Sequence, residues 1–331
     1  MNILEKLIVS PSPHQRGNSS TTKIMTLVII ALIPSIIAAT VIFGLRALIL
    51  VLTCVASSVL FEFFCRKIMK RDNTITDFSA AVTGIILALN LPVTLPLWMA
   101  VLGCFVAIVI TKQLFGGIGQ NFANPAIVGR LVLTLSFTKE MSTWVKPFWY
   151  SSADLLTSPT PLAEKWLVSY SSSTGFMGKI SPPVDYIDLF LGKTGGCIGE
   201  TCAVAIILGG IFLLMTRVIS PAAPLTFVGT VAILISVSGG DALYHVLSGG
   251  LLFGAFFMAT DYVTTPVTTK GRVIFGIGCG LITFLIRTFG AYPEGVSFAI
   301  LLMNLLTPYI DRLTRTKPFG MVKVKEVKGN G

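Results

Sequence analysis

Charge is what this sequence has least of. Asp, Glu, Lys and Arg make up 12% of its 331 residues, about half of the ~25% found in soluble globular domains. That is too little charge to cover a soluble surface, which excludes an ordinary cytosolic enzyme and a disordered chain. Histidine is nearly absent. His14 and His245 stand far apart, so no haem or metal site made by this chain is expected. The cysteines Cys54, Cys65, Cys104, Cys197, Cys202 and Cys279 are scattered, with no Cys-x-x-Cys pair. They read as small apolar residues in helices; a metal cluster or disulfide involving Cys197 and Cys202 is the alternative. Gly117-Ile-Gly119 and Gly276-Ile-Gly278 lie in apolar segments without a strand–helix–strand context, so neither is a dinucleotide fold. A ferredoxin-type cysteine run is missing too.

What the chain has in abundance is apolar sequence. It is 53% hydrophobic, with a mean hydropathy of +0.82. A membrane-crossing helix needs ~20 apolar residues. The expected fold is an all-α polytopic membrane protein of about ten spans, near 24–44, 47–65, 77–93, 96–112, 122–137, 197–216, 221–238, 242–261, 271–289 and 295–311. Three of these are interrupted. Asn90-Leu91-Pro92 ends the third, Asn124-Pro125 opens the fifth, and Gly195, Gly196 and Gly199 precede the sixth. Breaks of this kind are tolerated where protein or a wet cavity satisfies the freed backbone groups. Five spans, a long loop and five spans suggest two repeats, inverted because five is odd, with sites near the midplane. Weak internal likeness agrees: Thr76-Asp77-Phe78 with Thr260-Asp261-Tyr262, and Asn124-Pro125 with Asn304 and Pro308. The many small residues within spans suit close helix packing.

A net charge of +10 does not point to nucleic acid, because the basic residues sit in short clusters between apolar runs. Lys6, Arg16 and Lys23 precede the first span, Arg66, Lys67, Lys70 and Arg71 follow the second, and Arg312, Arg315, Lys317, Lys323, Lys325 and Lys328 follow the last. The positive-inside rule then puts both termini in the cytoplasm. The chain divides into a cytoplasmic segment 1–23, a first half 24–137, an extracytoplasmic loop 138–194, a second half 195–311 and a basic cytoplasmic tail 312–331. The first apolar run is long enough to span, so a cleavable signal peptide is not expected. Trp144, Trp149, Tyr150, Trp166 and Tyr170 suit a loop resting against the bilayer interface.

That loop holds Asp154-Leu-Leu-Thr157-Ser158-Pro159-Thr160-Pro161. Hydroxyls three apart on a Pro-flanked stretch, with an acid six residues before Thr160, offer an accessible oxygen for a phosphoester. Asp154 could hold a Mg²⁺-bearing nucleotide during such a transfer, or could start an ordinary Ser/Thr/Pro turn. Ionisable groups within apolar runs are costly and so are functional candidates. Glu62 faces the basic cluster at Arg66 and suits an interfacial ion pair. Arg130 could pair with Glu200 and brace two short helices, or bind an anionic ligand. Asp241 follows Gly239-Gly240 and suits a helix cap. Asp261, with Thr264 nearby, is a polar cluster that could coordinate a cation, hydrogen-bond a ligand, or merely cap a helix end.

Asp154-x-x-Thr157-x-x-Thr160 resembles the flavin-attachment motif of the membrane subunits of Rnf and Na⁺-translocating NADH:quinone reductase complexes. Asn121-Phe-Ala-Asn124-Pro-Ala, Gly195-Gly-Cys-Ile-Gly-Glu200-Thr201, Met258-Ala-Thr260-Asp261-Tyr-Val-Thr264-Thr-Pro266 and Tyr292-Pro-Glu294-Gly295 resemble further motifs of that family. The likeness runs from Ser10 to Pro318. A long N-terminal extension is lacking, which favours the Rnf D-subunit branch over the quinone-reductase B subunit. Where the family usually has Ser-Gly-Ala-Thr, this chain has Thr157-Ser158-Pro159-Thr160. The attachment hydroxyl is kept, and Pro159 departs.

The resemblance implies FMN bonded through its phosphate to Thr160, with Asp154, Thr157 and Arg130 around it, and in some relatives a second, non-covalent flavin such as riboflavin. It implies a redox-driven pump passing electrons between ferredoxin and NAD⁺ and moving Na⁺ or H⁺. The nicotinamide and ferredoxin chemistry would belong to partner subunits, and a flavin transferase would attach the FMN. Asp261, Glu200 and Thr264 are the candidates for an ion path, and no residue of this chain alone is expected to be catalytic. A channel for a small polar solute is the alternative from a different class.

Overall fold

The computed structural model describes residues 20–72, 74–148, 160–162, 185–290 and 294–315. Among these, every extended regular element is helical. The first half comprises α1 (Thr21–Phe43), α2 (Leu45–Ile68), α3 (Ser79–Leu89), α4 (Leu97–Gln113) and α5 (Pro125–Ser136). Two short helices follow, α6 (Thr138–Met141) and α7 (Tyr186–Leu191). The second half comprises α8 (Ala203–Met215), α9 (Ala222–Val237), α10 (Ala242–Leu247), α11 (Leu251–Phe253), α12 (Thr269–Phe289) and α13 (Val296–Thr314). α4 ends in a π-helical stretch, Val106–Gln113, and α11 runs straight into another, Gly254–Met258.

Four helices, α1, α2, α12 and α13, are long and apolar enough to cross a membrane unaided. α3, α4, α5, α8 and α9 are shorter apolar helices. Together with the broken α10–α11 segment they fall on the ten expected spans. The interruptions have local causes. Asn124 caps α5, its Oδ1 accepting from the N–H of Ala126 and Ile127, with Pro125 at the first helical position, where it loses no bond. α3 stops at Asn90, and its free carbonyls are met by another segment. Ile198 N–H donates to Leu91 O at 3.1 Å, and Gly199 N–H donates to Leu89 O at 2.7 Å. The glycine-rich stretch before α8 thus satisfies the broken end of α3 inside the bundle.

The packing repeats. α2 packs on α3 and α4; α9 packs on the α10–α11 segment and α12. α4 packs on α5 as α12 does on α13, and α1 on α3 as α8 does on α11. Across the halves α1 meets α8 and α5 meets α13, first element against sixth and fifth against tenth. This is the arrangement of a two-fold repeat of five. Small residues set the closest approaches. At Gly209 a Cβ would collide with the Ala31 carbonyl of α1, and at Gly276 with Thr226 of α9. The outward side chains are apolar: Val237 is 81% exposed, Leu225 65% and Ile233 64%. Such a belt has no place in water and suits lipid.

Candidate functional site

The broken helices bring polar groups together at the end of the bundle that carries Thr160. α5 places Arg130 one and a half turns in from Asn124, buried among helices. Its guanidinium donates to Asn90 Oδ1 at 2.9 Å and to Cys197 Sγ at 3.4 Å, and it forms an ion pair with Glu294. Glu294 lies just before Gly295, which takes the left-handed conformation (φ 67°) that starts α13. Glu200 Oε1 accepts from the Cys197 N–H at 3.0 Å. Cys197, Glu200 and Glu294 have ligand atoms within 4.8 Å of one another, and the Arg130 guanidinium already binds two of the three, Cys197 and Glu294. Arg287 donates to three carbonyls, those of His245, Ser248 and Glu294, and so ties α12 to α10 and to the start of α13.

Thr160 is buried, at 4% exposure. Its neighbours are pinned: Tyr244 of α10 donates from its hydroxyl to Pro161 O at 2.8 Å, and Leu162 is buried. Two clefts meet at Thr160. One encloses about 650 Å³ between Trp144, Met141, Phe298, Arg130 and Glu294. The other, about 270 Å³, is walled by Thr194, Glu200, Thr201 and Ser248. The larger has the character of small-molecule sites, apolar walls with few polar groups. The side chains of Glu200 and Thr201 each keep one buried oxygen without a hydrogen-bond partner. At the exposed rim Tyr186 donates to Asp241, and this bond raises the phenol above the ordinary tyrosine range.

A separate cleft of about 820 Å³ opens elsewhere, walled by Lys112, Asn121, Asn124, Phe257, Thr260 and Asp261. It shares no residue with the Thr160 clefts. Between them lie Asn90, which donates to Ile86 O and approaches the Met258 sulfur, and Asn124, which donates to Met258 O. Thr264 donates to Asp261 Oδ2 at 3.2 Å, and Thr307 of α13 donates to Thr264 O.

The expected site residues therefore divide into two groups. Thr160, Arg130 and Glu200 converge; Asp261 and Thr264 form a second cluster away from them. Asp154 and Thr157 lie outside the described residues. Arg130 does brace short segments, but its ion-pair partner is Glu294, not Glu200. Glu62 does not serve the basic cluster beside it. It pairs with Lys112 at 2.9 Å and is 1% exposed. Asp241 caps α10, accepting from Tyr244 N–H. The six cysteines are free, with no bond between Cys197 and Cys202. The sequence reading marked Asn90 as a helix break and Arg287 and Glu294 within one motif, but not the bonds that the three make. The available signal was an acid next to a glycine in an otherwise uncharged stretch.

Four helices long and apolar enough to cross a membrane, with several shorter apolar helices packed among them, define a multi-pass membrane protein. The chain belongs to the NQR2, RnfD, RnfE family, whose sequence model matches residues 8–320. It is 46% identical over 322 residues to the D subunit of the Na⁺-translocating ferredoxin:NAD⁺ oxidoreductase complex of Acetobacterium woodii, covering 97% of each chain. It is 42% identical to the D subunit of the proton-translocating ferredoxin:NAD⁺ oxidoreductase complex of Clostridium ljungdahlii, covering 94% of this chain and 96% of that one. The D subunit of the ion-translocating oxidoreductase complex of Stutzerimonas stutzeri is 39% identical over 91% of this chain and 93% of its own.

Proposed function

We propose that this chain is the D-type membrane subunit of a redox-driven ion pump, carrying electrons between ferredoxin and NAD⁺ on FMN bonded to Thr160 while Na⁺ or H⁺ crosses the membrane. The observation that carries the pump reading is near full-length similarity to subunits so named. Ferredoxin and NAD⁺ are handled by partner subunits, and a flavin transferase loads the FMN. The protein sits in the cytoplasmic membrane with both termini inside and the 138–194 loop outside, as its Lys and Arg distribution suggests.

The Thr160 site suits a flavin. Its hydroxyl-bearing residue stands where a mainly apolar cleft meets a smaller, more polar one. A flavin held there supplies one- and two-electron transfer. Trp144, Met141 and Phe298 give the larger cleft its apolar walls. Arg130 presents a positive charge beside it, which favours electron-rich states of a ring, and Glu294 and Asn90 hold that guanidinium in place. The Asp261–Thr264 cluster, with its carboxylate at the head of a cleft, is the better-placed candidate for ion entry, and Glu200 for exit. The Asn124–Asp261 cleft is the space for a second, non-covalent flavin.

The test is covalent flavin on the full chain co-expressed with its transferase. Denatured wild type should fluoresce in a gel and carry one FMN by intact mass, and Thr160→Ala should do neither. An unlabelled wild type would refute flavin attachment and favour a solute channel built on the same clefts. A labelled Thr160→Ala chain would move the attachment elsewhere.

A further inference from the structure

A fourth cleft, of about 890 Å³, lies between the α8–α9 turn and the segment leading into α12. It has no place in the proposed electron path. Arg217, Ser220, Tyr262, Thr265, Val267 and Arg272 are among its walls, and none of its lining residues is a carboxylate. Two acids of the adjoining segments are committed elsewhere. Asp311 accepts from the Val267 N–H at 3.1 Å, and Asp261 accepts from Thr264 and faces the neighbouring cleft.

Both arginines are set for an external ligand. Arg272 is steered by one bond, Nε to Pro266 O at 3.0 Å, which leaves its two terminal nitrogens. Among the described residues neither Arg217 nor Arg272 forms an ion pair. Arg217 also sits where a glycine would normally be. It ends α8 in the left-handed conformation (φ 55°), with Arg217 N–H donating to Leu214 O and Val218 N–H to Leu213 O. Helices ending this way favour glycine, because a side chain there is strained. A strained arginine in the wall of a cleft points to a use for its charge. The rim carries exposed apolar side chains: of the lining residues, Val267 is 77% exposed and Tyr262 52%. Positive charge within an apolar rim, at the level of the span ends, matches an amphipathic anion and not a freely soluble one.

We propose that the Arg217–Arg272 cleft binds the phosphate headgroup of an anionic phospholipid. Guanidinium groups grip phosphate oxygens through paired N–H bonds. Basic pockets between helices at the membrane surface take anionic headgroups, each Arg or Lys adding about fivefold in affinity. Bound there, the lipid joins the α8–α9 turn to the α12 start, next to the cleft that holds Asp261.

The experiment uses the full chain, delipidated in mild detergent and titrated with phosphatidylglycerol or phosphatidylcholine, read by native mass spectrometry and thermal unfolding. Phosphatidylglycerol should bind preferentially and raise the melting point. Arg272→Gln and Arg217→Gly should each weaken it about fivefold and leave phosphatidylcholine unaffected. Arg217→Gly suits the left-handed backbone, so its lipid-free melting point should match or exceed wild type, and lost binding cannot then be misfolding. Unchanged phosphatidylglycerol affinity in both variants overturns the proposal. So does equal protection by inorganic phosphate, which would make the ligand a free anion. A crosslink from position 217 to an acidic segment of a partner subunit, with no lipid retained by the assembled complex, would overturn it as well. Flavin on Thr160, measured in the same samples, reports separately on the redox reading.

Discussion

Lys112→Met is the perturbation whose size the structure sets most directly. Lys112 Nζ donates to Glu62 Oε2 at 2.9 Å and to Ser79 Oγ at 2.7 Å, while Thr74 donates to Glu62 Oε1 at 2.9 Å. Lys112 and Glu62 are 3% and 1% exposed. Removing the ammonium leaves a carboxylate buried against α4 with one hydroxyl for company. Stranding one member of a buried pair costs about 3–5 kcal/mol. Glu62→Gln in the same chain removes the stranded charge yet still accepts from Thr74. The double variant should therefore recover most of the loss, because a buried pair taken as a whole contributes little net stability. Denaturant unfolding in detergent, followed by tryptophan fluorescence, would give a double-mutant cycle with a coupling of roughly 2–4 kcal/mol. If Lys112→Met loses under about 1 kcal/mol, or if the two changes simply add, the two side chains do not form an isolated buried couple.

Two further changes probe packing and one probes the site. Gly209→Ala drives a methyl into the Ala31 carbonyl and the Phe257 ring, so it should cost about 1–3 kcal/mol by parting α1 from α8. Gly229→Ala, on α9 with open space around it, should be neutral or gain up to ~1 kcal/mol from helix propensity in the same unfolding assay. Glu294→Gln leaves Arg130 bonded to Asn90 and Cys197 without its counter-charge. If FMN sits at Thr160, its reduction potential should rise in a redox titration, because an uncompensated guanidinium favours the reduced, electron-rich ring. An unchanged potential would place the ring away from Arg130.

The sequence alone determined the ten-span plan, because apolar runs, their charged ends and their breaking residues are local signals. Asn124-Pro125 declares a capped helix start wherever the rest of the chain lies, and Asp241 after two glycines declares its cap equally well. It also marked Arg130, Glu200 and Asp261 as unusual, since a charge in an apolar run is visible without coordinates. Only the tertiary structure decided their partners. Glu62 had four basic residues close behind it in the chain and bonded instead to Lys112, fifty positions on. Arg130 paired with Glu294, from the far half of the repeat. Helix ends broken inside the membrane must find their bonds across the bundle. The residues that answer them are fixed by how the two halves close on each other, and periodicity along the chain carries no record of that.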